Sequence, residues 1–217
     1  IKSEGLVVEA FLERNDPREI LISINKKKLK DLKPNAVIGT SSFRREFQIK
    51  NLRSDIKCKL IRGNVDTRIK KLNEGLYDAI ILSYAGIKSL KIIDQISEIF
   101  SVEDIIPSAG QGIISLQCRE DDSKIISILK KTNHKETYQR ASAERNVLKI
   151  LEGDCETAVG AHAERNILKI LEGDCETAVG IHSKIYKNKI TVEAELFSLD
   201  GSQRFYEKKS DILENFR

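Results

Sequence analysis

Short apolar runs alternate with stretches in which apolar residues recur every three or four positions. The runs at residues 37–39, 58–61, 79–83 and 113–118 predict strands, and two further apolar stretches, 6–12 and 19–24, flank a turn signal at residues 15–17. The run at 79–83 stays apolar until its last residue, which is typical of a parallel strand covered on both faces. Helical periodicity fills the gaps that follow three of these strands.

The predicted helices complete a β-α-β-α-β series. They span residues 42–52, about 66–73, and a segment after Gly86 that carries Ile87, Leu90 and Ile93. Gly75 is placed to end the second helix. Such a series requires right-handed crossovers and therefore favours an α/β layer architecture.

The last third of the chain has a different pattern. Residues 133–137 resemble a linker into a helix, and residues 184–205 alternate like a hairpin or small sheet with a turn at Asp200-Gly201. We therefore expect a small α+β unit at the C-terminal end.

A tandem repeat precedes that unit. Residues 143–160 return at 163–180 with one change, Val147 to Ile167. Two copies are too few for a solenoid, so a recent duplication or an error in sequence assembly is the better interpretation. Each copy predicts a helix that ends at a glycine and is followed by a cysteine, Cys155 or Cys175.

Composition narrows the class of protein. A chain of 217 residues can bury a sizeable core, and 40% hydrophobic with 32% charged residues is ordinary for a globular protein. The apolar runs are too short to cross a membrane, and no leader opens the chain. The four cysteines lack CxxC spacing, so we expect reduced thiols, no metal and a cytoplasmic location. The chain begins with Ile1 and has no Met, which indicates an N-terminal truncation.

The charge is concentrated in one block. Residues 26–71 contain 15 Lys or Arg against 4 Asp or Glu, within a total net charge of +4. Nucleic acid would suit such a block, but its only aromatic residues are Phe43 and Phe47, which are spaced for one helix face and are predicted to be core. We therefore expect no nucleic-acid partner.

Two strand-to-helix turns, residues 39–45 and 61–68, carry the candidate chemistry. Ligands bind at the carboxyl ends of strands in open α/β sheets, where helix N-termini offer unpaired N–H groups. Guanidinium groups add bidentate carboxylate recognition, and small hydroxyl residues add donors. The candidate residues are Arg44, Arg45, Arg62, Arg68, Thr40, Ser41 and Ser42. We predict that the arginines converge on a ligand with several negative charges.

Together with further motifs, these turns resemble the porphobilinogen deaminase (hydroxymethylbilane synthase) family. The matching stretches are residues 39–45, 61–68, 74–82, 85–88, 107–112, 118–122 and 143–155. They occur in the family's order over nearly the whole chain.

The resemblance implies an α/β fold in which a periplasmic-binding-protein-like doubly wound domain precedes a small α+β domain. It places a remnant of a first domain at residues 1–17 and a central anion-binding domain at 18–106. A return segment to the first domain follows at 107–132, and a C-terminal cofactor-cysteine domain at 133–217. We expect a monomer.

The resemblance also implies a transferase that joins four porphobilinogen units head to tail into hydroxymethylbilane and releases ammonia. A dipyrromethane cofactor would be bound through a cysteine thioether. The seven residues of the two turns would hold the carboxylates of the cofactor and the growing pyrrole chain. Cys155 is the favoured attachment site because it keeps the expected distance from the preceding domains. Cys175, which keeps continuity with the following strand, is the alternative.

The family's catalytic aspartate belongs to a segment that precedes residue 1, so no catalytic residue is assigned and the chain alone is predicted to be inactive. Two alternatives stay open. One is a non-catalytic anion- or solute-binding module of the same fold, and the other is a decayed copy of the enzyme.

Overall fold

The computed structural model describes residues 4–151, 178–198 and 200–213. In these residues the strands are β1 (Leu6–Phe11), β2 (Glu19–Ser23), β3 (Val37–Gly39), β4 (Lys57–Lys59), β5 (Ala79–Ser83), β6 (Glu98–Ile99), β7 (Ser115–Arg119), β8 (Val179–Tyr186), β9 (Lys189–Phe197) and β10 (Arg204–Ile212). The α-helices are α1 (Phe43–Leu52), α2 (Val65–Asn73), α3 (Tyr84–Ser89), α4 (Ser123–Thr132) and α5 (Lys135–Leu151).

The central sheet has the strand order β4-β3-β5-β2-β6. β3 is parallel to both β4 and β5, as the sequence predicts. β2 is antiparallel to β5 and to β6, a direction that an apolar run cannot reveal. Because β2 is reversed, its first residue lies at the edge of the sheet where β3, β4 and β5 end.

Helices cover both faces of this sheet. Ile38 and Ile81 pack with Ile49 of α1 in one core cluster, whereas α2 and α3 pack on the opposite face through a second cluster. Burial on both faces explains why residues 79–82 are all apolar, since each large aliphatic side chain contributes about 1.5–3 kcal/mol when buried. The α/β prediction with a doubly wound sheet is confirmed.

β1 and β7 form a separate antiparallel pair, flanked by α4. Two connections, residues 12–18 and 100–114, join this pair to the central sheet and run side by side. Leu12 N donates to Ile114 O at 3.0 Å, and Asn15 N donates to Gly112 O at 2.8 Å. Gly112 has φ +80°, and a Cβ there would lie 2.7 Å from Asn15 O, so the close approach of the two connections requires glycine.

The C-terminal sheet has the order β10-β9-β8 and packs against α5 through Ala143, Ile181, Ile190 and Val192. A small α+β unit is therefore confirmed, and of the two predicted arrangements, a hairpin or a small sheet, the strands form the small sheet. The predicted turn at residues 200–201 is also confirmed, with Gly201 at φ +71°.

Three local predictions are wrong. The third helix ends at Ser89, and Ile93 belongs to a separate 3-10 turn, because Lys91 between them adopts a left-handed φ of 59°. Phe43 is 43% exposed and is not core. The predicted linker at 133–137 contains the first residues of α5.

The repeat is divided between two elements. The helix α5 contains residues 143–151 of the first copy, and β8 begins within the second copy at Val179. Residues 152–177 lie outside the described residues, and with them both candidate cofactor cysteines, Cys155 and Cys175. Within the described ranges, no helix has the length and apolar character needed to cross a bilayer.

Candidate anion-binding site

The two predicted turns lie side by side at one edge of the central sheet, because β3 and β4 are parallel neighbours. Ser42 caps α1 by accepting from Arg45 N at 3.4 Å, and Asn64 caps α2 by accepting from Thr67 N at 2.9 Å. Two helix N-termini therefore open at the same edge. Their dipoles favour negative charge there.

Arg44 is directed into the protein. Its side chain is buried, its Nη2 donates to Glu19 Oε1 at 2.5 Å, and its Nη1 donates to the carbonyl of Ile106 at 2.8 Å. Gln111 Oε1 lies 3.5 Å from the same Nη2. Arg44 thus links the start of α1 to β2 and to the connection that follows β6.

Arg45 shares the same carboxylate. Its Nε donates to Glu19 Oε1 at 3.0 Å and its Nη2 lies 2.9 Å from Oε2, with 15% of the side chain exposed. Glu19 itself is fully buried. Burial raises the pKa of Glu19, but the charges of Arg45 and Arg44 outweigh burial and hold that pKa below its usual value.

Arg68 stands close enough to Arg45 to feel its charge. Its Nε donates to the carbonyl of Gly63 at 2.8 Å, and its side chain is half-buried. Partial burial and then the positive charge of Arg45 lower the pKa of Arg68. Two guanidinium groups that repel each other beside two helix N-termini would be stabilised by a bound anion.

The other predicted residues have more local positions. Arg62 is exposed on its turn, and its carbonyl accepts from Lys71 Nζ at 2.9 Å. Thr40 is buried and its Oγ1 accepts from Ser42 N at 3.1 Å, so it shapes the first turn. Ser41 is exposed.

Sequence reasoning missed Glu19. The available signal was an acidic residue at the first position of an otherwise apolar strand, directly after Pro17-Arg18. An acid in that position is buried only with a cation as partner.

The two cysteines within the described ranges are not activated. Burial, followed by the charge of Glu46, raises the pKa of Cys58 to about 12, and Cys58 packs on the core. Burial also raises the pKa of Cys118. Neither is a thiolate at neutral pH. The described residues contain no group of three or more His, Cys, Asp or Glu side chains that could hold a metal ion.

A second buried carboxylate, Glu144, joins several segments near the repeat. It accepts from Arg14 Nη1 at 2.5 Å, from Gly110 N at 2.8 Å, and from Ser183 N and Oγ at 2.9 and 2.7 Å. Glu144 therefore ties α5 to β8 and to both connections between the sheets. No local sequence pattern predicts this role of Glu144.

We compared the chain with protein-family models and with known proteins. A family model described as "Porphobilinogen deaminase, dipyromethane cofactor binding domain" matches residues 1–127, and one described as "Porphobilinogen deaminase, C-terminal domain" matches residues 161–215. The porphobilinogen deaminase of Chlorobium phaeovibrioides is 45% identical over 157 residues, which cover 72% of this chain and 50% of that protein. The Rickettsia prowazekii protein of the same name is 43% identical over 155 residues, covering 71% and 52%.

The chain belongs to the porphobilinogen deaminase family. It spans about half the length of the curated relatives it matches.

Solved structures with partial similarity include an arginine-specific periplasmic binding protein from Salmonella typhimurium. It has a TM-score of 0.37 and 15% identity, with 59% of each chain covered. The P235GK mutant of ArgBP from T. maritima has a TM-score of 0.35 and 17% identity, covering 65% of this chain and 60% of that one.

Proposed function

We propose that this chain forms part of a hydroxymethylbilane synthase and that the edge holding Arg45 and Arg68 binds the carboxylates of pyrrole substrates. The enzyme would join four porphobilinogen units into hydroxymethylbilane with release of ammonia. The support comes from family membership, together with the two neighbouring strand-to-helix turns described above.

One observation carries the proposal. Arg45 and Arg68 each lie in the first turn of a helix, and the N-termini of these two helices open at the same edge because β3 and β4 are parallel neighbours. In agreement with this geometry, burial and then the charge of Arg45 lower the pKa of Arg68. Porphobilinogen carries one acetate and one propionate group, so a single ring offers an anion to each guanidinium. Bidentate carboxylate binding is the interaction for which arginine is best suited.

The residues present also fit a dipyrromethane cofactor, which has four such carboxylates. Arg45 and Arg68 would hold part of that charge, with Arg62, Thr40, Ser41 and Ser42 completing the predicted set. When bound, the cofactor supplies the starter pyrroles to which new units are added. Arg44 would support the site from within, because its donors are directed to Glu19 and Ile106.

Binding of porphobilinogen by isothermal titration calorimetry tests the site. We expect Arg45→Ala and Arg68→Ala each to weaken binding at least tenfold, since a hydrogen bond to a charged group contributes about 1.5–3 kcal/mol. Arg53→Ala is the matched control. Arg53 lies at the opposite end of α1, where it pairs with Asp55.

Two results would contradict the proposed site. The first is a wild-type chain that does not bind porphobilinogen at millimolar concentration. The second is an Arg53→Ala variant that loses as much affinity as Arg45→Ala.

The cofactor cysteine requires a separate experiment. Cys155 follows the last residue of α5 by four positions, and Cys175 precedes the first residue of β8 by four. We propose Cys155 as the attachment site, with Cys175 as the alternative; the match to the C-terminal family model includes only Cys175. Intact mass and peptide mapping of protein expressed with a relative's N-terminal segment would reveal a dipyrrole adduct, and Cys155→Ser and Cys175→Ser would show which thiol carries it.

An adduct on Cys175 alone would reverse the choice of cysteine. A bare polypeptide mass in all three proteins would instead favour a decayed copy or a non-catalytic binding module.

The domain division is also a proposal. The pair β1–β7, the central sheet and the C-terminal sheet agree with a first-domain remnant at 1–17, a central domain at 18–106, a return segment at 107–132 and a cysteine domain at 133–217. We further propose a monomeric, cytoplasmic protein that binds neither nucleic acid nor membranes.

A further inference from the structure

We propose that Glu19 is a positioning residue that fixes the direction of the Arg45 guanidinium toward the ligand. The proposal rests on the proposed function of this edge. It assigns different roles to the two adjacent arginines: Arg44 is the structural counter-charge of Glu19, and Arg45 is the ligand-binding group.

The contacts that Glu19 makes support these different roles for Arg44 and Arg45. Arg44 is buried, and its donors are directed to Glu19 and the Ile106 carbonyl. Arg45 contacts Glu19 through Nε and Nη2, which form one edge of its planar fork. Within the described residues, no other protein group accepts a hydrogen bond from the Arg45 side chain, so its second edge remains for a carboxylate.

The reversed direction of β2 makes this arrangement possible. Glu19 is the first residue of β2, which is antiparallel to β5, and therefore lies at the edge where the neighbouring parallel strands end. The carboxylate of Glu19 is fully buried and contacts Arg45 in the first turn of α1 from the protein interior. Two contacts to one rigid carboxylate remove the rotational freedom that a long arginine side chain would otherwise lose on binding.

Charge alone predicts the opposite effect of removing Glu19. The group of Arg44, Arg45 and Glu19 carries a net charge of +1, and neutralising Glu19 would make it more positive. If Glu19 acts only through its charge, its removal should strengthen anion binding. If Glu19 positions Arg45, its removal should weaken binding.

The test compares Glu19→Gln with wild type in porphobilinogen titrations. We expect at least tenfold weaker binding. The control is Glu46→Gln, which also removes one negative charge, but from a residue of α1 that is paired with Lys50; we expect its affinity to stay within twofold of wild type. Unchanged or tighter binding by Glu19→Gln would overturn the proposal.

A double variant covers the case in which Glu19→Gln fails to fold because Arg44 is left buried without its counter-charge. Glu19→Gln with Arg44→Met keeps the net charge of the group at +1. Ile106 O keeps its hydrogen bond from Gln48 Nε2 at 3.1 Å. We again expect at least tenfold weaker binding, and wild-type affinity in the double variant would refute the positioning role.

Arginine side-chain NMR without ligand separates this proposal from the proposed function. In the wild type, the Nε proton of Arg45 should exchange slowly with solvent, and in the double variant it should exchange at least tenfold faster. Equal exchange rates would overturn the positioning role even if porphobilinogen binds. Faster exchange in the variant, with no binding by wild type, would support the positioning role while contradicting the proposed function.

Discussion

Gly63 shows how one residue shapes the edge of the sheet. Its φ of +119° is rare for residues with a side chain, and a Cβ would lie 2.7 Å from Cγ2 of Thr67. The carbonyl of Gly63 also accepts the hydrogen bond from Arg68 Nε. Strain at this position would therefore be transmitted to Arg68, one of the two arginines that we propose to bind the ligand.

We expect Gly63→Ala to lower the free energy of unfolding by about 1–3 kcal/mol, the range for a residue forced into a sparsely populated conformation. Gly75→Ala is the control, because Gly75 has φ +77° but no atom within 4 Å of its missing Cβ. Urea denaturation of both variants would separate the steric cost from the backbone cost. Equal losses would show that the contact with Thr67 is relieved cheaply.

At the scale of single residues, the sequence points to the arginines of the two turns but not to the buried carboxylates that pair with arginines. The arginines stand out as candidates because both turns follow apolar runs. Glu19 and Glu144 were missed because their partners are distant along the chain: Glu19 pairs with Arg44 and Arg45, and Glu144 pairs with Arg14. The burial of an acid depends on such long-range pairing, which local patterns do not contain.

At the scale of elements, one buried side chain fastens α5 to several neighbouring segments, in addition to its apolar packing on the C-terminal sheet. Glu144 is fully buried and accepts hydrogen bonds from β8, from the Gly110 turn and from Arg14. Residues 163–171 repeat the sequence of residues 143–151 with one change. The partners of Glu144 are therefore the ones that the equivalent residue of the second copy would need in the same position.

Glu144→Gln should lower the free energy of unfolding by about 3–5 kcal/mol, because it leaves the buried guanidinium of Arg14 without its counter-charge. Glu136→Gln is the matched control on the same helix, since the Glu136 side chain is exposed and lies 3.5 Å from Arg140; we expect a change below about 0.5 kcal/mol. Urea unfolding measures both. A small effect at Glu144 would mean that water or a neighbouring group compensates Arg14.

Element types were predicted more reliably than element ends. The three parallel strands and the first two helices agree with the apolar periodicity, whereas α3 ends early because Lys91 adopts a left-handed conformation. α4 was not predicted, although Asp122 caps it by accepting from Ile125 N at 2.9 Å. Caps and left-handed residues act on single positions and are hidden by a periodic apolar pattern.

At the scale of the whole molecule, the C-terminal sheet packs on α1 and on the connection that follows β6. Phe197 stacks on Phe47 of α1 with ring centroids 5.6 Å apart, and Ile181 N donates to Pro107 O at 2.7 Å. His182 is buried in this region. Burial, followed by the charges of Arg14, Arg140 and Lys184, lowers its pKa to about 3.

This histidine should make the molecule sensitive to acid. The native state keeps His182 neutral down to a pH of about 3, while the unfolded chain protonates it near its ordinary pKa of 6.5. Its contribution is therefore fully present above pH 6.5 and is lost as the pH falls toward 3, at up to about 1.4 kcal/mol per pH unit. His182→Leu should flatten the stability profile between pH 6 and about 4, and leave it parallel to wild type above pH 7. Parallel profiles throughout would contradict this expectation.

The paired connections between the β1–β7 layer and the central sheet have a mechanical consequence. Backbone hydrogen bonds join residues 12–15 to residues 112–114. The two segments therefore act as one paired connection between the layers. Bending across both segments preserves their mutual bonds, whereas twisting one against the other breaks them. We therefore expect the β1–β7 pair to bend relative to the central sheet more readily than it twists.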